Sequence, residues 1–468
     1  MMNAAASRAD VLVFGASGFT GKWIARRIAG HVRDGTLASY ALGGRSAARL
    51  SELRSELLAE GLPAPLCVAV AEAGDHVELA NLASRAKLLI SAVGPFRLYG
   101  EPVVRACIAS GTDYVDISGE PLFLESIAAR LNKLATEKGV IVLGSAAFDC
   151  VPADLGAAAA ADALRRRDFL PTSVLGFLSL TTTGGHALHG HYATFQSAVL
   201  GFGCADELKR LRRAEGSGAA ACVYGGALAG SADGVSLNTN LFWSAEAKAW
   251  AMRFPGADAS VVRRTNRAAE LRGETPVAFS AFMTLPTLTS LATMLFYGTL
   301  FSLLARFESG RNVLLRYPKL FTGGVFSHAG PSQDQIAAAR FSYKFVAIGH
   351  SPQEAAAVLA APKRKGTSQG PSTGSLPPAT ARAVVEVTGP EPGYDATSTM
   401  VSAVAAVILR HRSSLAFTGG VTTPGTLFPA GSRACDEVIL LLAKGGVRIK
   451  TIEEPHLVVV GGERKTSR

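Results

Sequence analysis

An apolar run, Val11-Leu12-Val13-Phe14, breaks directly into Gly15-Ala16-Ser17-Gly18-Phe19-Thr20-Gly21. The chain continues as Lys22-Trp23-Ile24-Ala25-Arg26-Arg27-Ile28-Ala29, with helical periodicity. Three glycines at three-residue spacing between a strand and a helix constrain the chain more than any other feature. Glycine allows a sharp turn and lets backbone lie against a pyrophosphate. The first amides of the following helix have no partners within it and face phosphate oxygens. The order strand, glycine turn, helix predicts a dinucleotide site built from Gly15, Ala16, Ser17, Gly18, Phe19, Thr20 and Gly21. The Gly-x-x-Gly-x-x-Gly spacing leans toward reductases and epimerases that use a nicotinamide cofactor.

The second strand selects the cofactor. An acidic residue about 20 positions past the glycines would bind the ribose 2′-hydroxyl of NAD. At the end of Ser39-Tyr40-Ala41-Leu42-Gly43-Gly44 stand Arg45 and Ser46 instead. A guanidinium binds a phosphate in a bidentate manner, so Arg45 and Ser46 point to the 2′-phosphate of NADP(H). Further strands are expected at 66–70, 88–93, 114–117 and 140–143, with helices between them. This rhythm means a doubly wound parallel Rossmann sheet. Ligands bind at the carboxyl ends of such strands. Gly94 and Pro95 therefore join the cofactor site, and Phe148 and Asp149 face the same side.

The 468 residues allow two or three domains. Residues 1–155 read as the NADP-binding domain and 156–390 as a mixed α+β domain, with a Pro/Gly/Ser/Thr-rich flexible loop at 362–380. Residues 391–468 read as elements returning to the Rossmann domain. In the second domain strands are expected at 174–182, 219–224, 341–348 and 381–388. Helices are expected at 397–411 and 435–444. The net charge is +10, yet no basic run is longer than a triplet such as Lys363-Arg364-Lys365. That argues against a nucleic-acid surface and fits anionic cofactors or membranes. The six cysteines, Cys67, Cys107, Cys150, Cys204, Cys222 and Cys435, are scattered, which indicates neither a zinc site nor a disulfide framework. The first strand begins near Asp10, leaving no room for a cleavable signal peptide. Lys465-Thr466-Ser467-Arg468 is not a targeting signal.

Residues 275–305 carry no charge, a length sufficient to cross a bilayer. Pro286 argues against one straight spanning helix. Arg263, Arg264, Arg267 and Arg272 precede the window, and Arg306, Arg311, Arg316 and Lys319 follow it. Basic flanks on both sides suit a segment that dips into a membrane or lipid-droplet surface from the cytosolic face. A buried helix pair, or a contact in a homodimer, is the other reading.

Candidates for chemistry are dispersed. His186, His189 and His191 lie in one glycine-containing loop with no carboxylate nearby in sequence, so no metal site is assigned. Asp149 and Asp154 flank a strand end, and Asp154 is equally suited to cap the next helix. Tyr99, Tyr114 and Tyr192 are possible proton donors. No tyrosine has a lysine four residues on, so the Tyr-x-x-x-Lys dyad is absent. The catalytic residue stays unassigned.

Taken together, Gly15–Gly21, Gly44-Arg45-Ser46 and Ser91-Ala92-Val93-Gly94-Pro95-Phe96 resemble the saccharopine-dehydrogenase-like oxidoreductases. The resemblance continues through Tyr99–Val104, Tyr114–Glu120, Phe148–Gly156, Gly389–Tyr394 and Gly419–Gly425. It implies a Rossmann domain completed by C-terminal elements, association with lipid droplets and membranes, and a role in lipid metabolism. The related mycobacterial trans-acting enoyl reductases reduce a lipid-chain double bond, which implies an apolar acyl substrate. Three functions are compatible: an NADP(H)-dependent reductase of a lipid-like substrate at a membrane, a non-catalytic lipid-droplet protein with a structural nucleotide site, and a soluble amino-acid dehydrogenase.

Overall fold

The computed structural model describes residues 8–214, 239–355 and 380–457. The strand expected at 219–224, Cys222, the 363–365 triplet, all but the last residue of the 362–380 loop, and 465–468 lie outside the described residues.

Strands β1 (Ala9–Phe14), β2 (Tyr40–Gly44), β3 (Cys67–Val70), β4 (Ala86–Ser91), β5 (Asp113–Asp116) and β6 (Ile141–Leu143) alternate with helices. The helices are α1 (Phe19–Arg33), α2 (Ala47–Ala59), α3 (His76–Ala83), α4 (Phe96–Ser110) and α5 (Pro121–Glu137). The strands make one parallel sheet in the order β6-β5-β4-β1-β2-β3. Val11, Leu12, Val13 and Phe14 are all buried, because helices cover both faces of a parallel sheet. The expected Rossmann architecture is what the chain adopts. Local signals set its helix starts: Ser46 Oγ accepts the Arg49 amide, and Asp75 accepts those of Val77 and Glu78.

The chain returns to this sheet from far downstream. Gly420–Thr422 pairs in parallel with β6 as a seventh strand. The helix Thr397–His411, buried from Thr397 to Ile408, packs against α1. After it, Arg412 donates to Asp113 of β5 and to the carbonyls of Gly139 and Thr418. The stretch from 391 does not return as a whole, however. Arg448–Leu457 pairs with the second sheet, where Arg448, Lys450 and Glu453 give it the charged character of an edge strand.

The second sheet begins after α6 (Cys150–Arg165). Its strands are β7 (Leu170–Thr182), β9 (Leu241–Ser244), β10 (Ala249–Arg253), β11 (Ala278–Leu285), β13 (Ala339–His350) and β14 (Ala381–Gly389), with the short pair β8 (Gly190–His191) and β12 (Phe326–Ser327) apart from it. From the Arg448–Leu457 edge inward the order is β14-β13-β7-β11-β10-β9. The pairing of β7 with β11 is parallel and the others are antiparallel. Helix α6 links the sheets. A Cβ on Gly156 would stand 2.3 Å from the Phe345 ring, so glycine there lets the helix lie directly on β13.

Among the described residues, seven helices lie between β7 and β13: α7 (Tyr192–Phe202), α8 (Ala205–Ala214), α9 (Asp258–Leu271), α10 (Leu288–Ala305), α11 (Glu308–Arg316), α12 (Pro318–Phe321) and α13 (Gln333–Ala338). The charge-free window divides at Pro286. Its first half is strand β11, inside the sheet, and its second half is α10, started by a capping box between Thr287 and Ser290. The buried helix pair is thereby corrected. One half is a strand, and in the other only 11% of the helix is buried. Among the described residues α10 is the one helix long and apolar enough to cross a membrane. Its inner side packs with Phe195 and Val199 of α7 and Leu314 of α11.

Candidate functional site

The glycine turn sits at the carboxyl end of β1, centrally in the first sheet. Gly15 has φ +82°, and a Cβ there would meet Val93 Cγ2 at 2.9 Å. Its amide donates to the Gly43 carbonyl, tying the turn to β2. Gly18 occupies the N-cap of α1, and no side chain caps this helix. A Cβ on Gly21 would stand 2.0 Å from the Gly15 carbonyl oxygen, so the third glycine lets α1 approach the turn. The three glycines thus serve a left-handed turn, an uncapped helix start and close packing. An uncapped first turn beside bare backbone suits a pyrophosphate.

Arg45 follows β2 on the same edge. It is exposed and makes no hydrogen bond or ion pair among the described residues. Ser46 has a structural duty the sequence reading did not give it, as the cap of α2. Ser17 Oγ lies 3.7 Å from where a Cβ on Gly44 would be, so the turn and the end of β2 adjoin. Gly94 and Pro95, joined by a cis peptide, follow β4, the other neighbour of β1.

Helix α4 begins at Phe96, directly after Pro95. The buried carboxylate of Glu120 accepts the amides of Phe96 at 2.9 Å and Arg97 at 3.0 Å. This helix start is therefore already satisfied from within. Sequence reasoning gave Glu120 no role, because its partners lie on another helix.

The three loop histidines separate. His186 is exposed, whereas His191 stacks on Phe19 of the glycine turn with ring centroids 4.9 Å apart. The His191 amide donates to Tyr394 Oη at 2.7 Å, and the Tyr394 ring meets Phe19 edge-on. Burial holds the His191 imidazole below its ordinary range. Tyr192 stacks on His328. Tyr114 is fully buried in β5 and bonds Asp116, and Tyr99 lies exposed on α4. Only Tyr192 of the three tyrosines adjoins the nucleotide turn, through its neighbour His191.

Buried carboxyls gather below the ends of β5 and β6. Asp116 accepts the amides of Ser118 and Ser145 and the Tyr114 hydroxyl, yet burial pushes it up to about 6. Asp154 lies within α6 rather than at its cap. It accepts the Thr265 hydroxyl and the Gly425 amide, and burial raises it to about 6. Asp149 sits at the α6 N-cap with φ +75° and no side-chain cap bond. Asp258, at the start of α9, accepts the Tyr343 hydroxyl at 2.7 Å. No group of three or more His, Cys, Asp or Glu among the described residues has the arrangement of a metal site.

Residues 11–143 match the family model described as the saccharopine dehydrogenase NADP binding domain. The human saccharopine dehydrogenase-like oxidoreductase is 34% identical over 428 residues, covering 89% of this chain and 92% of that protein. The chain belongs to the saccharopine dehydrogenase-like oxidoreductase family. A relative from Caenorhabditis elegans, 30% identical over 90% of this chain and 94% of its own, is named lipid droplet localized protein. In fold, the chain is like saccharopine dehydrogenase (L-Glu forming) of Saccharomyces cerevisiae. The TM-score is 0.50 at 11% identity, with 95% of this chain and 100% of that one covered. The matched NADP-binding domain contains the glycine turn, Arg45 and the Gly94-Pro95 segment.

Proposed function

We propose that the chain is an NADP(H)-dependent reductase of a lipid-like substrate, working on a membrane or lipid-droplet surface from the cytosolic face. Gly15 to Gly21 hold the pyrophosphate, Arg45 and Ser46 the 2′-phosphate, and Gly94 and Pro95 border the nicotinamide half. Support for the cofactor comes from the matched NADP-binding domain and from a turn that side chains would fill.

One observation carries the lipid part. Helix α10 exposes Leu288 (67%), Phe296 (65%) and Leu303 (55%), and Phe307, Tyr317 and Leu320, in and beside the helices packed on it, are exposed as well. A single exposed apolar residue is ordinary, but several on and around one helix mark an interaction surface. Arg306, Arg316 and Lys319 stand beside it and make no ion pair among the described residues. The other flank differs, since Arg267 pairs with Glu270 and Arg272 with Glu274. The basic rim therefore lies on one side. Helix α7, packed under α10, begins at His191 against the nucleotide turn, so the apolar face and the cofactor site share a neighbour. The name of the worm relative agrees with a lipid surface.

The test is NADPH oxidation by purified full-length protein supplied with fractionated lipid extracts in vesicles. The reading expects consumption with at least one apolar fraction and none with free amino acids. Nucleotide binding without turnover in any fraction would favour the non-catalytic reading instead.

A further inference from the structure

A reduction by hydride leaves an electron pair on the substrate that one proton must neutralise. This inference rests on the reductase reading above. The donor must stand at the carboxyl edge of the first sheet, among groups able to keep a proton near neutral pH.

Asp149 meets these conditions. It follows β6, three strands from the glycine turn in the order β6-β5-β4-β1, or roughly 14 Å at about 4.8 Å per strand. Its φ of +75° and ψ of −76° form a tight turn that is rare and strained for a residue with a side chain. Its Oδ2 lies 3.5 Å from where a Cβ on Gly119 would be, so the carboxyl sits between the ends of β5 and β6. As a residue Asp149 keeps part of its surface open.

Behind it stands Asp258, with no exposed surface. Its Oδ2 accepts the Tyr343 hydroxyl, and its Oδ1 is buried without a hydrogen-bond partner. Asp149 and Asp154 of α6 are the carboxyls near enough to oppose its ionisation. Cys150 of α6 and Tyr343 of β13 complete the ionisable groups facing the pair. Arg264 of α9 is the nearby cation, and it acts on Asp154 and Glu125. Neither Asp149 nor Asp258 has an ion pair among the described residues. Two enclosed carboxyls without a counter-charge cannot both ionise cheaply.

We infer that Asp149 and Asp258 hold one proton between them, and that Asp149 presents it to the cleft as the proton donor of the reduction. Asp258 and Tyr343 are positioning residues. Burial agrees, since it pushes Asp149 up to about 6 and Asp258 well above the ordinary carboxylate range. Bound NADPH supplies the hydride and is oxidised while the substrate is reduced. The proton passes from the Asp149 carboxyl to the substrate atom that received the displaced pair. The two carboxylates then recover one proton from water through the open side of Asp149.

Carboxyl-selective ¹³C NMR titration of the full chain tests this without turnover. Wild type should show steps near 6 for Asp116, Asp149 and Asp154 and a further one, that of Asp258, well above them. Asp149→Asn should lose one of the steps near 6, which assigns it, and asparagine tolerates the positive φ. Asp258→Asn should lose the upper step, and Tyr343→Phe should move that step upward by removing a donor to the carboxylate. NADP+, whose ring is positively charged, should lower the Asp149 step, while NADPH should leave it in place. A merely structural pair would respond to neither. If the nucleotides bind and the Asp149 step stays put with both, or if Asp149→Asn removes no step above about 5.5, the inference is overturned while the cofactor reading stands. If neither nucleotide binds, the reductase reading has failed and the inference falls with it.

Discussion

The imidazole of His191 lies stacked on the ring of Phe19, at 4.9 Å between centroids and an interplanar angle of 21°. Phe19 is the first residue of α1, directly after the glycine N-cap. The loop before α7 thereby braces the turn that is proposed to hold the cofactor. Aromatic pairs of this kind contribute about 0.5–1.5 kcal/mol beyond their buried area. His191→Ala should weaken NADPH binding by about two- to tenfold, because Phe19 loses its brace. His191→Phe keeps the stack and should bind nearly as wild type. Fluorescence titration with NADPH measures both. Equal affinity in all three proteins would detach this loop from the nucleotide site.

The division between what sequence could and could not disclose follows the range of the interactions. The glycine turn is a local signal, readable from eleven consecutive residues, and so are the buried strands β1, β2 and β4. The α10 window was legible as apolar, but not as strand plus helix, because burial of Ala278 to Leu285 depends on pairing with β7, about a hundred residues earlier. Glu120 caps a helix 24 positions away, and Tyr343 reaches Asp258 across 85 positions. Spacing carries no trace of such contacts. Family resemblance implies that C-terminal elements complete the Rossmann domain, but periodicity does not single out Gly420–Thr422 as the strand beside β6, since three residues are too few to show one.

Arg45 should decide cofactor preference. Its guanidinium is exposed at the end of β2, free to meet a 2′-phosphate. A hydrogen-bonded charge pair of this type contributes about 1.5–3 kcal/mol. Arg45→Ala should therefore weaken NADPH binding by about 10- to 100-fold and leave NADH binding unchanged. Calorimetric titration with each nucleotide separates the cases. If wild type takes NADH as tightly as NADPH, and the substitution alters neither, Arg45 has no role in selection.

Glu120 should matter for stability. Its carboxylate satisfies two amides at the start of α4 in a buried position. Glu120→Ala leaves both without a partner, at a cost of about 1–3 kcal/mol. Glu120→Gln keeps a carbonyl acceptor for one amide and should lose less. Urea unfolding monitored by circular dichroism orders the three proteins. A midpoint unchanged in Glu120→Ala would mean that water replaces the carboxylate at no cost.

Asp154 gives a pH dependence with a definite sign. In the unfolded chain it ionises near 3.8, and in the folded chain near 6 because of burial. Between these values the folded state binds more protons, so this group's contribution to stability falls as pH rises through that window. The full difference is of the order of 3 kcal/mol. Asp154→Asn has no carboxyl to ionise there. Its stability relative to wild type should rise from pH 4 to pH 6.5 and level off above. Urea melts of both proteins across that range read the trend directly. A constant difference would show that Asp154 ionises alike in both states.

Helix α10 should carry membrane attachment. Leu295, Phe296 and Leu303 are exposed on it, and Arg306 follows its end. Burying such a side chain in an apolar phase gains about 1.5–3 kcal/mol, so three together account for a firm but reversible attachment. Replacing Leu295, Phe296 and Leu303 by Asp, Ser and Asp reverses the sign of this contribution and leaves Leu291, the buried residue of its first turn, in place. Wild type should float with vesicles containing anionic lipid, and less so in high salt, because Arg306, Arg316 and Lys319 act through screened charge. The triple variant should stay at the bottom of the gradient while binding NADPH as wild type. Flotation of the variant equal to wild type would move the attachment elsewhere, and a wild type that never floats would leave the exposed face to a protein partner.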